Sequence, residues 1–358
     1  MMTDKSFDKN QALAKDGNVG QKLQLQLAEQ MMGAFDSVIS SRSAYYDENP
    51  DKIPAPSDIQ AIINSCATKN ALKSGGVALL PGPLGMVAAL PEIVLLTHSQ
   101  LAMIYDIGVA HGKSKVLNKE LLAGVFLSAL GTGATGLLAM QGSKVLVQRA
   151  TLRVFQKLVA LLAGKVTQQM LKSLITRWVP GVGAIAMVAW INYSTRQIGK
   201  KAVEILAKSI EVTEEESDDE GIVEGAIMAQ PATVVAAAPI YIDLKIKALI
   251  NLMKVDKKLA PEERGYIEVL IENSELADET KIELANLVDA ETKTPVDFAL
   301  FAKDPDEMTG MLIDLVALAQ RDGEFHLAEK IYIKQAAKLM GVSESDVEEA
   351  MSVEQTAA

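Results

Sequence analysis

The chain of 358 residues holds one cysteine, Cys66, and three histidines, His98, His111 and His326. So little sulfur and imidazole excludes a disulfide scaffold, a cysteine-rich zinc or iron–sulfur site and a histidine-rich metal centre. Aromatic residues make up 4% of the chain. Nucleic-acid readers interleave aromatics with bases for stacking, so nucleic acid is not an expected partner. The first residues are interrupted by Asp4, Lys5, Asp8 and Lys9 and no apolar stretch follows them, so no signal peptide is read and a cytoplasmic location is expected. His98 and His111 flank Tyr105 and Asp106, but no Ser or Cys nucleophile motif accompanies them. The reading therefore favours a binding protein over an enzyme.

Carboxylates are missing from the whole stretch Leu121 through Val203, which carries ten Lys and Arg residues. Residues 1–210 sum to +9 and residues 211–358 to −20, which together give the net charge of −11. Such asymmetry predicts a polyanion partner for the first half, and with nucleic acid set aside that partner is an anionic lipid surface. Hydrophobic residues reach 49%, concentrated in three apolar runs at 75–96, 121–143 and 179–195. Runs of eighteen or more such residues are membrane-spanning candidates by length. Pro81, Pro83 and Pro91 in the first and Pro180 in the last are expected to break straight spans into shorter pieces. Gly124, Gly131, Gly133, Gly136 and Gly142 in the middle run allow close helix packing in or near lipid.

Gly131, Gly133 and Gly136 also spell G-x-G-x-x-G. A dinucleotide site needs a strand before this motif and an acid about twenty residues after it. The next acid is Glu204, so the nucleotide reading fails. Further on, Arg149, Arg153 and Lys157 fall four apart, on one face of an expected helix, beside Val154, Phe155, Leu158 and Leu162. Basic and apolar faces on one helix are the composition of an interfacial membrane helix. Lys165, Lys172 and Arg177 extend the basic set, and Trp178 and Trp190 bracket the last apolar run as an aromatic belt would. These eight residues are the candidate membrane contacts.

The segments GGVALLPGPLGMVAALPEIVLLTHSQLAMIYDIGVAHG and VPGVGAIAMVAWINYSTRQIGKKA resemble the EcsC family of bacterial proteins, over about residues 60–208. The features in register are Gly75/Gly76, Pro91-Glu92, Tyr105, and Pro180-Gly181 with Asn192. The resemblance implies a helical, membrane-associated module with no agreed enzymatic activity.

The acidic half contains a repeat. ALINLMKVDKKLAPEERGYI aligns with DLVALAQRDGEFHLAEKIYI at an offset of 66 residues, matching Leu249, Leu252, Asp256, Glu263, Tyr266 and Ile267 to Leu315, Leu318, Asp322, Glu329, Tyr332 and Ile333. Each unit reads as helix, acidic turn, helix. Pro261 and Asp304-Pro305 mark helix starts, Gly341 a helix end, and Ser343 with Asp346 a cap. The pattern L-x6-D-G-x-h-x3-E at Leu315, Asp322, Gly323 and Glu329 resembles the TerB (tellurite-resistance) family, over about residues 243–351. That resemblance implies acidic residues able to hold a divalent cation, Asp256 with Glu263 and Asp322 with Glu329. Oxygen ligands suit Ca²⁺ or Mg²⁺, although two carboxylates alone are too few, and the same acids can simply cap helices. Lys257 and Lys258 stand in the first repeat where the pattern has Gly and Glu.

No window shows sustained strand alternation, so the expected fold class is all-α. The expected organisation is an N-terminal helix (20–39) and polar linker (1–56), an EcsC-like apolar-basic helical domain (57–210), an acidic flexible linker (211–240) and a TerB-like helical domain (241–358) built from two repeated hairpins. The expected function is a non-enzymatic adaptor or sensor at the inner face of the cytoplasmic membrane, in envelope maintenance or stress response. Its partners would be anionic lipid and an unidentified protein or cation. The alternatives are a soluble lipid-holding or homo-oligomeric scaffold and a divalent-metal-dependent enzyme. A further possibility is that the acidic half covers the basic face of its own chain.

Overall fold

The computed structural model describes residues 5–74, 83–131, 136–172, 183–218, 221, 223, 239–255, 261–321 and 325–351. It is 75% helical, and the described residues hold a small three-stranded sheet, so the fold is predominantly all-α. The chain divides into two compact units: residues 1–68, 90–167 and 194–234 form the first, and residues 69–89, 168–193 and 235–358 the second. The division differs from the domain limits expected from sequence, because residues 1–68 belong to one unit and stretches of the apolar-basic block belong to each.

The first unit opens with α1 (Lys5–Glu48), longer than the helix expected over 20–39. Leu27, Met31, Phe35 and Val38 recur at helical spacing and are all buried. Phe35 meets Phe155 edge-on at 5.4 Å between ring centroids. The N-terminal helix is thus part of the core. Two short 3₁₀ turns follow, at Pro50–Lys52 and Pro56–Asp58, and the Asp58 carboxylate accepts the Ala55 N–H at 2.9 Å ahead of α2 (Ile59–Ser74).

Helix α3 (Pro83–Ala110) runs through Pro91 without stopping, so this proline does not divide the apolar run. Pro91 is exposed, where water can take the carbonyl that its missing N–H leaves unpaired. Among the described residues, Pro91–Ala110 is the one helix apolar and long enough to cross a membrane, and 67% of that window is buried inside the protein.

The middle apolar run is not one long helix. Helix α4 (Lys119–Ala129) is capped by Asn118, whose side chain accepts the Leu121 N–H. It ends before Gly131, which takes φ +77°. Strand β1 (Leu138–Gln141) then pairs antiparallel with β2 (Lys144–Ala150) through a two-residue turn whose Gly142 has φ +61°. A helix therefore precedes the glycine motif, in keeping with the rejected nucleotide reading. Gly124 lets this helix approach β1, since a Cβ there would lie 2.5 Å from Leu138 Cγ. This glycine is used inside the unit's own core.

Helix α5 spans Leu152–Lys172 and α6 spans Gly183–Leu206. Strand β3 (Ser209–Ser217) runs parallel to β2, with a register shift between Val147 and Arg149. The first residues of the expected acidic linker are therefore sheet. Ile210, Val212 and Thr213 supply β-branched side chains, and Glu211 and Glu216 find partners on β2.

In the second unit the repeat is visible in the helix limits. α7 (Pro239–Met253) and α8 (Pro261–Asn273) recur at an offset of 66 as α10 (Pro305–Ala319) and α11 (Leu327–Leu339). Between the pairs lies α9 (Asp278–Asp289), and α12 (Glu344–Met351) closes the unit. α7 packs on α10, burying Leu249, Leu252, Leu312 and Leu315 among others. Asp304 caps α10 by accepting the N–H groups of Asp306 and Glu307. Gly341 takes φ +80° after α11, and Ser343 Oγ accepts the Asp346 N–H at the start of α12.

Candidate functional site

The repeat domain carries charge where its helices meet. Lys245 on α7 and Glu307 on α10 are fully buried, with Nζ 2.8 Å from a carboxylate oxygen. The neighbouring Asp306 is also buried and accepts a hydrogen bond from Gln169 Nε2 at 3.3 Å. Asp314 lies about two turns along the same helix, equally buried. Desolvating these groups costs several kcal/mol per ion unless they are paired, so the layer ties α7 to α10 in one register. Asn251 adds a two-way link to residue 294, donating to its carbonyl at 2.7 Å and accepting its N–H at 2.9 Å.

The two repeat tyrosines sit in matching places with different partners. Tyr332 donates to the Ala248 carbonyl at 3.2 Å, and burial pushes its hydroxyl up to about 12. Tyr266 lies under the Arg321 guanidinium, 4.3 Å from ring centroid to carbon, and burial raises its pKa also.

The expected cation ligands divide three ways. Asp256 and Asp322 lie outside the described residues. Glu263 stands in the first turn of α8, half-buried. Glu329 is buried and accepts the His326 N–H at 3.0 Å, closing the N-terminus of α11. Its carboxylate thus has a capping role. Among the described residues no group of three or more acids, histidines or cysteines is placed to hold a metal ion.

The expected membrane contacts are also dispersed. Arg149 is not on a helix with Arg153 and Lys157, because α5 begins only at Leu152. Arg149 lies on β2, where it pairs with Glu216 at 3.1 Å, while Lys144 pairs with Glu211 at 2.6 Å. Thr151 donates to Asp218 at 2.9 Å, completing a ladder of polar links from the acidic run to the β2 side. Arg153 is exposed and Lys157 half-buried, four residues apart on α5, with the exposed Leu152 beside them. Lys165 and Trp190 are buried. The Lys172 side chain, Arg177 and Trp178 lie outside the described residues.

A second polar cluster joins α1 to α3. Asp106 Oδ1 accepts from Arg42 Nε at 2.7 Å and from Tyr46 Oη at 3.0 Å, and the Arg42 guanidinium lies over the rings of Tyr45 and Tyr46. Burial raises the Asp106 carboxyl, opposed by Arg42, and burial with the nearby Asp106 charge pushes Tyr46 up to about 12. Deeper in the unit, Gln100 on α3 donates to Thr195 on α6 at 2.9 Å, both buried.

Sequence reasoning singled out Asp106 only as a neighbour of two histidines and missed Lys245 and Glu307. A signal for Lys245 was present. It falls with Ile242, Ile246, Leu249 and Leu252 on the apolar phase of α7, where a lysine needs a buried partner.

Comparison with protein families matches residues 245–352 to the family described as tellurite resistance protein TerB. No curated protein and no solved structure matches the chain. The second unit thus contains a TerB domain, with both repeat hairpins inside or overlapping the matched span.

Proposed function

We propose that the protein is a non-enzymatic adaptor of bacterial envelope maintenance or stress response, whose TerB domain receives a protein or cation while its apolar-basic half meets the inner face of the cytoplasmic membrane. The observation that carries the reading is the TerB match at residues 245–352; the EcsC-like character of the other half is read from its sequence alone. Membrane contact draws support from Leu152 and Leu95, both exposed, and from Arg153 beside the first of them. The burial of two-thirds of the apolar window in Pro91–Ala110 inside the protein supports peripheral contact over spanning. For a cation, Asp256 and Asp322 in the repeat turns are the residues to test, with Ca²⁺ or Mg²⁺ as the probe.

A second reading, a soluble lipid-holding or homo-oligomeric scaffold, is favoured by the burial of Trp190 and of most of the apolar window in Pro91–Ala110. Co-sedimentation with neutral and anionic vesicles separates the two. The adaptor reading expects pelleting with anionic vesicles that high salt reverses. A protein that stays in the supernatant with both vesicle types at low salt excludes membrane contact and leaves the scaffold.

A further inference from the structure

Helix α11 turns its single carboxylate inward. Glu329 is taken up by the helix N-terminus, and Ile333, Ala336, Ala337 and Met340 fill the rest of the inward side. The outward side carries three large apolar residues in the open: Leu327 is 73% exposed, Ile331 48% and Leu339 59%. Lys330, Lys334 and Lys338 run beside them at four-residue spacing. This face has no acid, although residues 245–352 hold 23 Asp and Glu against 13 Lys and Arg. Facing it from α12, Glu344 and Glu348 both reach Lys334. Among the described residues, the positive ends of this face that meet no carboxylate are Lys330, which lies 5.0 Å over the Phe325 ring, and Lys338, about 12 Å apart along the helix.

We propose that the outward face of α11 is a docking site for an acidic amphipathic helix of a partner protein, a reading that rests on the TerB domain being the partner-binding half. Leu327 and Ile331 form the i, i+4 pair that an apolar seam covers, while Leu339 stands about 80° further round the helix, past the exposed Gln335. A docking helix needs one apolar stripe and carboxylates about two turns apart to meet Lys330 and Lys338. Charge selects this occupant over the others. A flat anionic membrane would also have to meet Glu344 and Glu348 beside the face, whereas a single helix can lie along Lys330 and Lys338 alone. A second copy packed antiparallel would set Lys330 against Lys338 of its neighbour, a like-charge pairing.

The test uses the full chain and two synthetic eighteen-residue helical peptides with the same leucine stripe, one flanked by glutamates and one by lysines, followed by fluorescence anisotropy. The glutamate peptide should bind at least about tenfold more tightly than the lysine peptide, with the advantage shrinking at high salt. The pair Leu327→Asp and Ile331→Asp should abolish binding while the circular dichroism spectrum stays helical, since Leu327 is largely and Ile331 half exposed. Lys330→Glu with Lys338→Glu should reverse the preference. Equal binding of both peptides, no binding of the glutamate peptide up to about 1 mM, or full binding by the aspartate pair would overturn the proposal. Vesicle binding or self-association that disappears in Ile331→Asp would overturn it in favour of lipid or of a second copy. Vesicle binding unaffected by these variants leaves the adaptor reading standing whatever the peptides do.

Discussion

Lys245 occupies a position where the period of α7 asks for an apolar side chain, and the fold accommodates it with Glu307. Removing one partner leaves the other charged in a dry interior. Lys245→Met should destabilise the domain by about 3–5 kcal/mol, and the double change Lys245→Met with Glu307→Leu should recover most of that loss. Denaturant unfolding of the three variants checks this; equal losses in single and double variants would show that the pair is not coupled. Tyr46 offers a pH-dependent counterpart. Its pKa is raised from the ordinary value near 10 to about 12, chiefly by burial and then by Asp106, so the folded state favours the neutral phenol. The stability this contributes is present below pH 10 and lost as pH rises to about 12. An absorbance titration should show tyrosines ionising near 12, fewer by one in Tyr46→Phe. A single step near 10 for all tyrosines would contradict the buried cluster.

Each element shows which local signals survived. Three of the four repeat helices begin at a proline, Pro239, Pro261 and Pro305, the fourth is closed by the Glu329 cap, and all recur at the sequence offset of 66, because such start signals are local and stand in the sequence. The sheet was not legible. β2 offers only Val145 and Val147 as an alternating pair, and β3 is half acidic, so each strand looks polar until the two are paired and their charges meet. The split of Arg149 from Arg153 follows from the same cause, since the spacing of bases fits a helix but the hairpin turn at Gly142 decides otherwise. Nor does sequence order show which residues a glycine serves. Gly124→Ala should cost about 1–3 kcal/mol by driving a methyl into Leu138, and Leu138→Ala in the same chain should relieve the overlap. Thermal melts of the single and double variants test it, and an unchanged melting temperature in Gly124→Ala would show that α4 and β1 are not in close contact.

At the scale of the whole molecule, the charge asymmetry visible in the sequence is partly cancelled where the chain folds back on itself. Glu211 and Glu216 on β3 meet Lys144 and Arg149 on β2, so part of the basic half is covered by the start of the acidic half. These exposed pairs add little to stability, about 0–1 kcal/mol each, but they reduce the positive field available to an anionic surface. Replacing Glu211 and Glu216 by lysine should therefore increase the fraction pelleted with anionic vesicles at low salt, and unchanged pelleting would show that this strand does not screen the membrane-facing charge. The central claim, that the apolar-basic half meets lipid while the TerB domain stays free for its partner, is tested most directly by hydrogen–deuterium exchange of the full chain with and without anionic vesicles. The account predicts new protection around Leu95 and in residues 152–157, with residues 245–351 unchanged. Protection confined to residues 245–351, or none anywhere while the vesicles pellet alone, would contradict it.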